Sequence, residues 1–331
     1  MFSKRSISLG LLACLLLTGC SVVSGVLPEK AMTNVLSGRE GANGEILVVK
    51  TDDTTQAHPQ IGLEDADIVY IEQVEGGLTR LAAVFSSVIP ERVGPVRSAR
   101  ISDIEILSQF GRVAFAYSGA QRKLLPVIAA ANLQDLGAQR QSPTIYTTDP
   151  ERIQPYAMVL RADLLMQLIQ EKGFAIDSAK DIGFVFGSLP EGGAETEKVV
   201  MNWPAATYSA SWSKEDSRWL LSHNNSINYA DSGLVLGPST LIIQMVSITP
   251  SEYKDKVGGV TPYSQTVGTG KAYVLRDGQR FTTTWTRPSA EAGTTFTFAD
   301  GTIMNFDPGQ IWIALTDREP IFTSPPLPKT K

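Results

Sequence analysis

Asp67-Ile68-Val69-Tyr70-Ile71-Glu72-Gln73-Val74, then Glu75-Gly76-Gly77, then an apolar run from Leu78 to Val88 that stops at Pro90: the fold is decided in this stretch. The first run is rich in β-branched residues, and two such runs around a Gly-Gly pair predict a hairpin. Upstream, Ile46-Leu47-Val48-Val49-Lys50 is a short apolar run that reads as a buried strand, followed by a turn at Asp52-Asp53-Thr54-Thr55. Downstream, Ile101, Ile104, Leu107 and Phe110 recur at helical spacing, with Ser98 as the expected N-cap and Gly111 as the stop. Val113–Tyr117 reads as another strand, and Leu164, Leu165, Leu168 and Ile169 mark a second helix closed by Gly173. Strands alternating with helices predict an α/β-type domain with a mixed sheet over residues 45–187.

Residues 188–197, with Pro190, Gly192 and Gly193, read as a linker. Beyond it the helical period disappears and short β-like runs follow, with Asp277-Gly278 and Asp300-Gly301 between paired runs as hairpin signals. This predicts a mainly antiparallel β-domain over 198–323 and a disordered tail over 324–331, so the expected class is α+β. All five tryptophans, at 203, 212, 219, 285 and 312, fall in the second part. The expectation is that they fill its core; a sugar-stacking surface is the alternative.

Composition narrows the function. The chain has 331 residues, 43% hydrophobic and 19% charged, with a formal net charge of −5 and no run of more than two basic residues. That length supports about two domains, and the charge argues against nucleic acid as a partner. Both cysteines, Cys14 and Cys20, lie near the start, so neither a disulfide framework nor a cysteine-based zinc site is expected in the body. With only His58 and His223, a multi-histidine metal site is likewise not expected, although an all-oxygen cation site stays open.

The first residues read as an address. Lys4 and Arg5 precede a short apolar stretch, Ile7–Leu17, too short to span a bilayer, and residues 1–19 form the expected signal peptide. Leu17-Thr18-Gly19-Cys20 resembles the bacterial lipobox, which implies a diacylated Cys20 as the first mature residue. Loss of Lys4 and Arg5 leaves 27 basic against 34 acidic side chains, a net charge of −7. Two acyl chains anchor stably, so the expected location is the extracytoplasmic face of the cell membrane. Residues 20–44 lack a clear period and read as the lipidated Cys20 with a flexible tether, a short helix over Lys30–Leu36 being the alternative.

Together the motifs resemble the YerB-like bacterial lipoproteins, a two-part family of unknown function. The carrying residues are Val49-Lys50-Thr51-Asp52, Pro59–Leu63, Ala66–Tyr70, Glu75–Arg80 and Gly94–Arg100 in the first part. In the second they are Gly268–Ala272, Asp277-Gly278, Thr284-Trp285 and Pro308–Ile313. The chain departs from the family pattern at Pro143-Thr144-Ile145-Tyr146, where a histidine is usual, and around Trp219 and His223. The resemblance implies an envelope lipoprotein with no assigned catalysis or cofactor. It also implies a link to peptidoglycan synthesis through control of a penicillin-binding protein.

Glu72, Glu75, Arg80, Arg97 and Arg100 form the main polar constellation. One reading is an Arg–carboxylate network that fixes the hairpin to the helix. The other is an anion site built from guanidiniums at a helix start, suited to a phosphate or carboxylate of a cell-wall precursor. A third function, wall hydrolysis with Glu72 or Glu75 as acid and base, needs a suitable carboxylate separation. Asp52, Asp53, Glu64, Asp65 and Asp67 lack EF-hand spacing and read as surface turns. Ser118-Gly119 lacks the first glycine of a nucleophile elbow, and Ser251–Lys254 matches S-x-x-K without its companion motifs. Gly268–Lys271 lacks the P-loop pattern and reads as a turn before a strand. His58 and His223 read as surface or loop residues. No catalytic motif is complete, so the leading expectation is a non-catalytic lipoprotein that recruits or regulates envelope proteins.

Overall fold

The computed structural model describes residues 32–326. The expected signal peptide, the lipobox Leu17–Cys20, the tether up to residue 31 and the tail from residue 327 lie outside the described residues.

The hairpin forms as its pattern predicts. Strand β2 (Ile68–Gln73) and strand β3 (Thr79–Phe85) pair antiparallel around a 3-10 turn at Glu75–Gly77. Gly76 and Gly77 both take positive φ, 70° and 73°. A Cβ on Gly77 would come within 2.4 Å of Pro204 Cβ, so glycine is needed there for close approach as well as for the turn. Strand β1 (Leu47–Asp52) pairs antiparallel with β3 and parallel with Val113–Ala116.

The fold is α+β, with a mixed sheet in the first part of the sequence and mainly antiparallel strands in the second. One large sheet draws on both parts. Its order is Ala194–Glu195, Gln279–Arg287, Gly268–Arg276, Thr240–Met245, Ile311–Thr316, β2, β3, β1, Val113–Ala116 and Leu133–Asp135. Ile311–Thr316 is the joint, running parallel to both Thr240–Met245 and β2. A separate antiparallel sheet has the order Ser226–Ile227, Arg218–His223, Thr207–Ser213, Lys198–Asn202 and Ile321–Thr323.

The two-residue period of a strand sorts the side chains. The rung Glu72–Arg80–Asp52 and the rung Tyr70–Ala82–Lys50 lie on one face. Helix α1 (Ile101–Ser108) belongs to the core on that face through Ile106 and Leu107, with Phe110 just beyond its end. The opposite face, with Val49, Ile71 and Leu81, packs with Tyr208, Trp203 and Trp219 of the second sheet region. Four of the tryptophans are buried as expected of core residues, and Trp212 is partly buried.

Three local expectations are corrected. Residues 32–44 are docked to the body: Leu36 is fully buried, and Asn34 and Ser37 donate side-chain hydrogen bonds to Ser86 and Asp67. The 188–197 segment carries the edge strand Ala194–Glu195, paired with Gln279–Arg287. The N-cap of α1 is Arg100, not Ser98, because Asp103 in the first turn accepts the Arg100 backbone N–H at 2.6 Å. Asp277-Gly278 does make a tight hairpin, with φ of 50° and 72° at its two residues. Among the described residues, no helix is long and apolar enough to cross a membrane.

Candidate functional site

Three segments far apart in sequence meet at the turn end of the β2–β3 hairpin. Glu75 and Arg80 come from the hairpin, Arg97–Arg100 from the segment entering α1, Lys254 from the end of the strand Ser247–Lys254 and Lys256 from the loop after it. They line a cavity of about 290 Å³, in which five basic side chains face two acidic ones, Glu75 and Asp255. A second recess of about 250 Å³ shares Arg97, Ser98, Ala120 and Lys256 with it and brings in Ser118.

The three arginines are not equivalent. Nε and Nη2 of Arg100 both donate to Glu75, at 2.9 and 2.7 Å. Burial works to raise Glu75, but the Arg100 charge and these hydrogen bonds outweigh it and hold the carboxyl below its ordinary range. Nε of Arg97 donates to Asp52 at 2.6 Å. Arg80 has no carboxylate within 4 Å among the described residues, and its Nη1 donates only to the Ser98 carbonyl at 3.0 Å. Burial, with the Arg100 charge beside it, pushes Arg80 down to about 9. Arg80 is thus a partly buried cation whose charge is balanced only from beyond ion-pair distance, by Asp52 and Glu75.

Glu72 does not join the arginines as expected. It lies one rung from Lys50, and Lys50 takes it: the Nζ contacts Glu72 Oε1 and lies 2.8 Å from Asp103 Oδ1, with all three side chains fully buried. Burial and the neighbouring Asp103 charge push Glu72 up to about 7. Glu72 is closed off from the cavity, so it and Glu75 do not form a solvent-facing catalytic pair.

The acidic cluster is also corrected: Asp52, Asp53 and Asp67 are buried, not surface turns. Asp67 accepts from Ser86 N, Ser87 N, Ser87 Oγ and Ser37 Oγ at 2.6–2.8 Å. Glu64 and Asp65 are partly exposed. Asp52 and Asp53 are adjacent, so they point to opposite faces: Asp52 to Arg97, Asp53 to the histidines.

His58 and His223, expected as surface or loop residues, stack on each other with ring centres 4.6 Å apart and an interplanar angle of 13°; His58 does lie in a partly exposed loop, whereas His223 ends a strand and is buried. Asp53 Oδ1 lies 3.3 Å from His58 Nε2, and Oδ2 lies 3.9 Å from His223 Nε2. The Tyr208 and Thr79 hydroxyls donate to Asp53 at 2.6 and 2.5 Å. Sequence distance hid this group; only the pairing of β1 with β3 and the packing of Arg218–His223 beneath them create it.

The remaining motifs are structural. The Ser251 hydroxyl donates to the Thr261 carbonyl inside its own hairpin, and Gly268–Lys271 opens a strand in which Lys271 pairs with Glu319. Lys254 and Lys256 had no linear signal as site residues, because only the hairpin fold carries them to the arginines.

Family models for the N-terminal and C-terminal domains of a protein of unknown function (DUF3048) match residues 32–175 and 199–313. The chain belongs to this two-part family. It is similar to the Bacillus subtilis (strain 168) protein named "Putative lipoprotein YerB", with 41% identity over 73 residues, 22% of each chain. The aligned stretch thus spans about a fifth of that relative's length. The crystal structure of YerB from Bacillus subtilis matches with a TM-score of 0.75 at 21% identity, covering 88% of this chain and 99% of that one. The family fold is therefore shared along nearly the whole body, and within it the arginines and the Asp–His group sit at the same end of the β2–β3 hairpin.

Proposed function

We propose that this protein is a lipid-anchored, extracytoplasmic envelope lipoprotein whose body binds an anionic ligand in the arginine cavity. The carrying observation is Arg80, a guanidinium held without a carboxylate partner among the described residues, beside Arg97 and Arg100. Guanidinium forks match phosphate and carboxylate oxygens bidentately, and desolvation strengthens such bonds. The cavity's 290 Å³ lies at the lower end of ligand-pocket sizes, which suits a phosphoryl or diphosphoryl head group and not a polymer segment. The exposed lysines Lys254 and Lys256 add long-range attraction that salt would screen. Docking of a protein partner at this site has less support, since Val257 at the loop tip is its one strongly exposed large apolar side chain. The lipobox, and the lipoprotein character of YerB, support the anchor at Cys20.

Calorimetry with inorganic pyrophosphate tests the cavity. Arg80→Met is expected to weaken binding at least ~10-fold, about 1.4 kcal/mol, while the melting temperature holds or rises because like-charge repulsion is relieved. Equal affinity in the variant, or no binding by the parent, would remove the anion reading. Arg97→Ala serves as the companion: a large fall in melting temperature with unchanged affinity would assign the arginines to structure alone. For the anchor, Cys20→Ala is expected to move the protein from the membrane fraction to the soluble one.

A further inference from the structure

We infer that Asp53, His58 and His223 form a binding site for a divalent transition metal of the zinc type. Their ligand-capable atoms all lie within 4.8 Å of one another. Ligands about 2.0–2.2 Å from a tetrahedral zinc stand roughly 3.3–3.5 Å apart. Asp53 Oδ1 and His58 Nε2 already have that separation at 3.3 Å. Asp53 approaches His223 Nε2 with its other oxygen, Oδ2, at 3.9 Å, so the stacked rings must turn toward each other for both Nε2 lone pairs to meet one ion.

The surroundings prepare the nitrogens for a metal. His58 Nδ1 lies 2.9 Å from Asn228 Oδ1. An amide oxygen only accepts, so Nδ1 carries the hydrogen, and an Nε2 that gives up its own proton on metal entry presents its lone pair toward Asp53, the arrangement that outer hydrogen bonds impose on metal-binding histidines. His223 is 4% exposed, and its Nε2 has no hydrogen-bond partner among the described residues. A buried nitrogen left unmatched is costly and calls for an explanation; a shared cation supplies one. The Tyr208 and Thr79 hydroxyls each hold one Asp53 oxygen, which fixes the carboxylate plane.

Access runs past His58, which lines an open cavity of about 770 Å³. Asp149, Glu151 and Asp231 outnumber Arg92 and Arg152 on its wall, a balance that favours cations. Three protein ligands leave a fourth position for water or a ligand entering from that side. Two imidazoles and one carboxylate favour zinc, nickel or iron over calcium or magnesium, which prefer oxygen. This site is independent of the arginine cavity, since Asp53 projects from the opposite face to Asp52.

The chain has two histidines, which makes the test direct. The untagged full-length chain, stripped with chelator, is labelled with ¹⁵N-histidine and titrated with Zn²⁺. Both Nε2 resonances are expected to shift together and saturate at one equivalent, while His58 Nδ1 keeps its proton. Ca²⁺ is expected to leave both unchanged. Zn²⁺ retained on dialysis is expected to fall at least ~100-fold in affinity for His223→Gln and about 10–100-fold for Asn228→Ala, which spares all three ligands. The site is overturned if Zn²⁺ moves neither or only one histidine, or if His223→Gln and Asp53→Asn retain Zn²⁺ as the parent does. The titration of the parent protein decides the matter even where a variant fails to fold.

Discussion

Lys50→Ala is expected to destabilise the protein by about 3–5 kcal/mol, read as a lower denaturant midpoint at unchanged slope. Lys50 is fully buried, and its ammonium is shared by Glu72 and Asp103, both fully buried. Removing it leaves two carboxylates facing each other without a counter-charge, and that penalty exceeds the lost packing of the lysine stem. Asp103 also caps α1 through the Arg100 N–H, so the loss spreads to the segment that carries the arginines. The triple change Lys50→Met, Glu72→Gln, Asp103→Asn is expected to recover most of the loss, because an ion group replaced as a whole leaves no orphaned charge. A small effect of Lys50→Ala, below about 1 kcal/mol, would mean that water reaches this site.

The same triad sets a pH dependence. Two carboxylates share one ammonium, and burial with the Asp103 charge raises Glu72 from 4.5 to about 7. Between those values the native state keeps a proton that the unfolded chain has released. The native state therefore binds more protons, and stability falls as pH rises through that window. Glu72→Gln is expected to flatten that fall, measured as the melting temperature from pH 4.5 to 8; profiles that stay parallel would show that another group causes it.

What was legible in the sequence follows from the range of the forces involved. The β2–β3 hairpin, the α1 helix, the helix Ala162–Lys172 and the Asp277-Gly278 turn depend on neighbours a few residues apart, and their patterns predicted them. The arginine constellation was legible because Arg80 and Arg97–Arg100 flank elements that local pattern already placed. Its lysines were not, because a hairpin more than 150 residues away supplies them. Nor was the sharing of one sheet by both parts, since Ile311–Thr316 reads as an apolar strand that any sheet could accept. Buried charge was the systematic failure. Lys50, Asp53 and Asp67 look like ordinary strand-end polar residues, and only the partners brought by the fold allow their burial.

Asp52 and Asp53 are the clearest case, and substituting each in turn is expected to give opposite results. Asp53→Ala is expected to cost about 3–5 kcal/mol. Its side chain is fully buried, and its removal strands the hydroxyls of Tyr208 and Thr79, both essentially without solvent access. Each such orphan costs about 1–3 kcal/mol, before the loss of the carboxylate beside His58 is counted. Asp52→Ala is expected to cost less, about 1–2 kcal/mol, since its ion-pair partner Arg97 keeps a quarter of its side chain in water and can be hydrated there. Its larger effect should be on the cavity. Freed from Asp52, Arg97 becomes a second guanidinium without a carboxylate beside Arg80, and pyrophosphate binding is expected to tighten several-fold, more at low salt than at high. Denaturant melts and pyrophosphate calorimetry on both variants separate the two roles. If Asp52→Ala weakens pyrophosphate binding, then Asp52 positions Arg97 for the ligand and does not compete with it, and the cavity works as an ordered Arg–carboxylate frame. If Asp53→Ala melts like the parent, the packing of the second sheet against β1 and β3, and not the carboxylate, holds that end of the hairpin together.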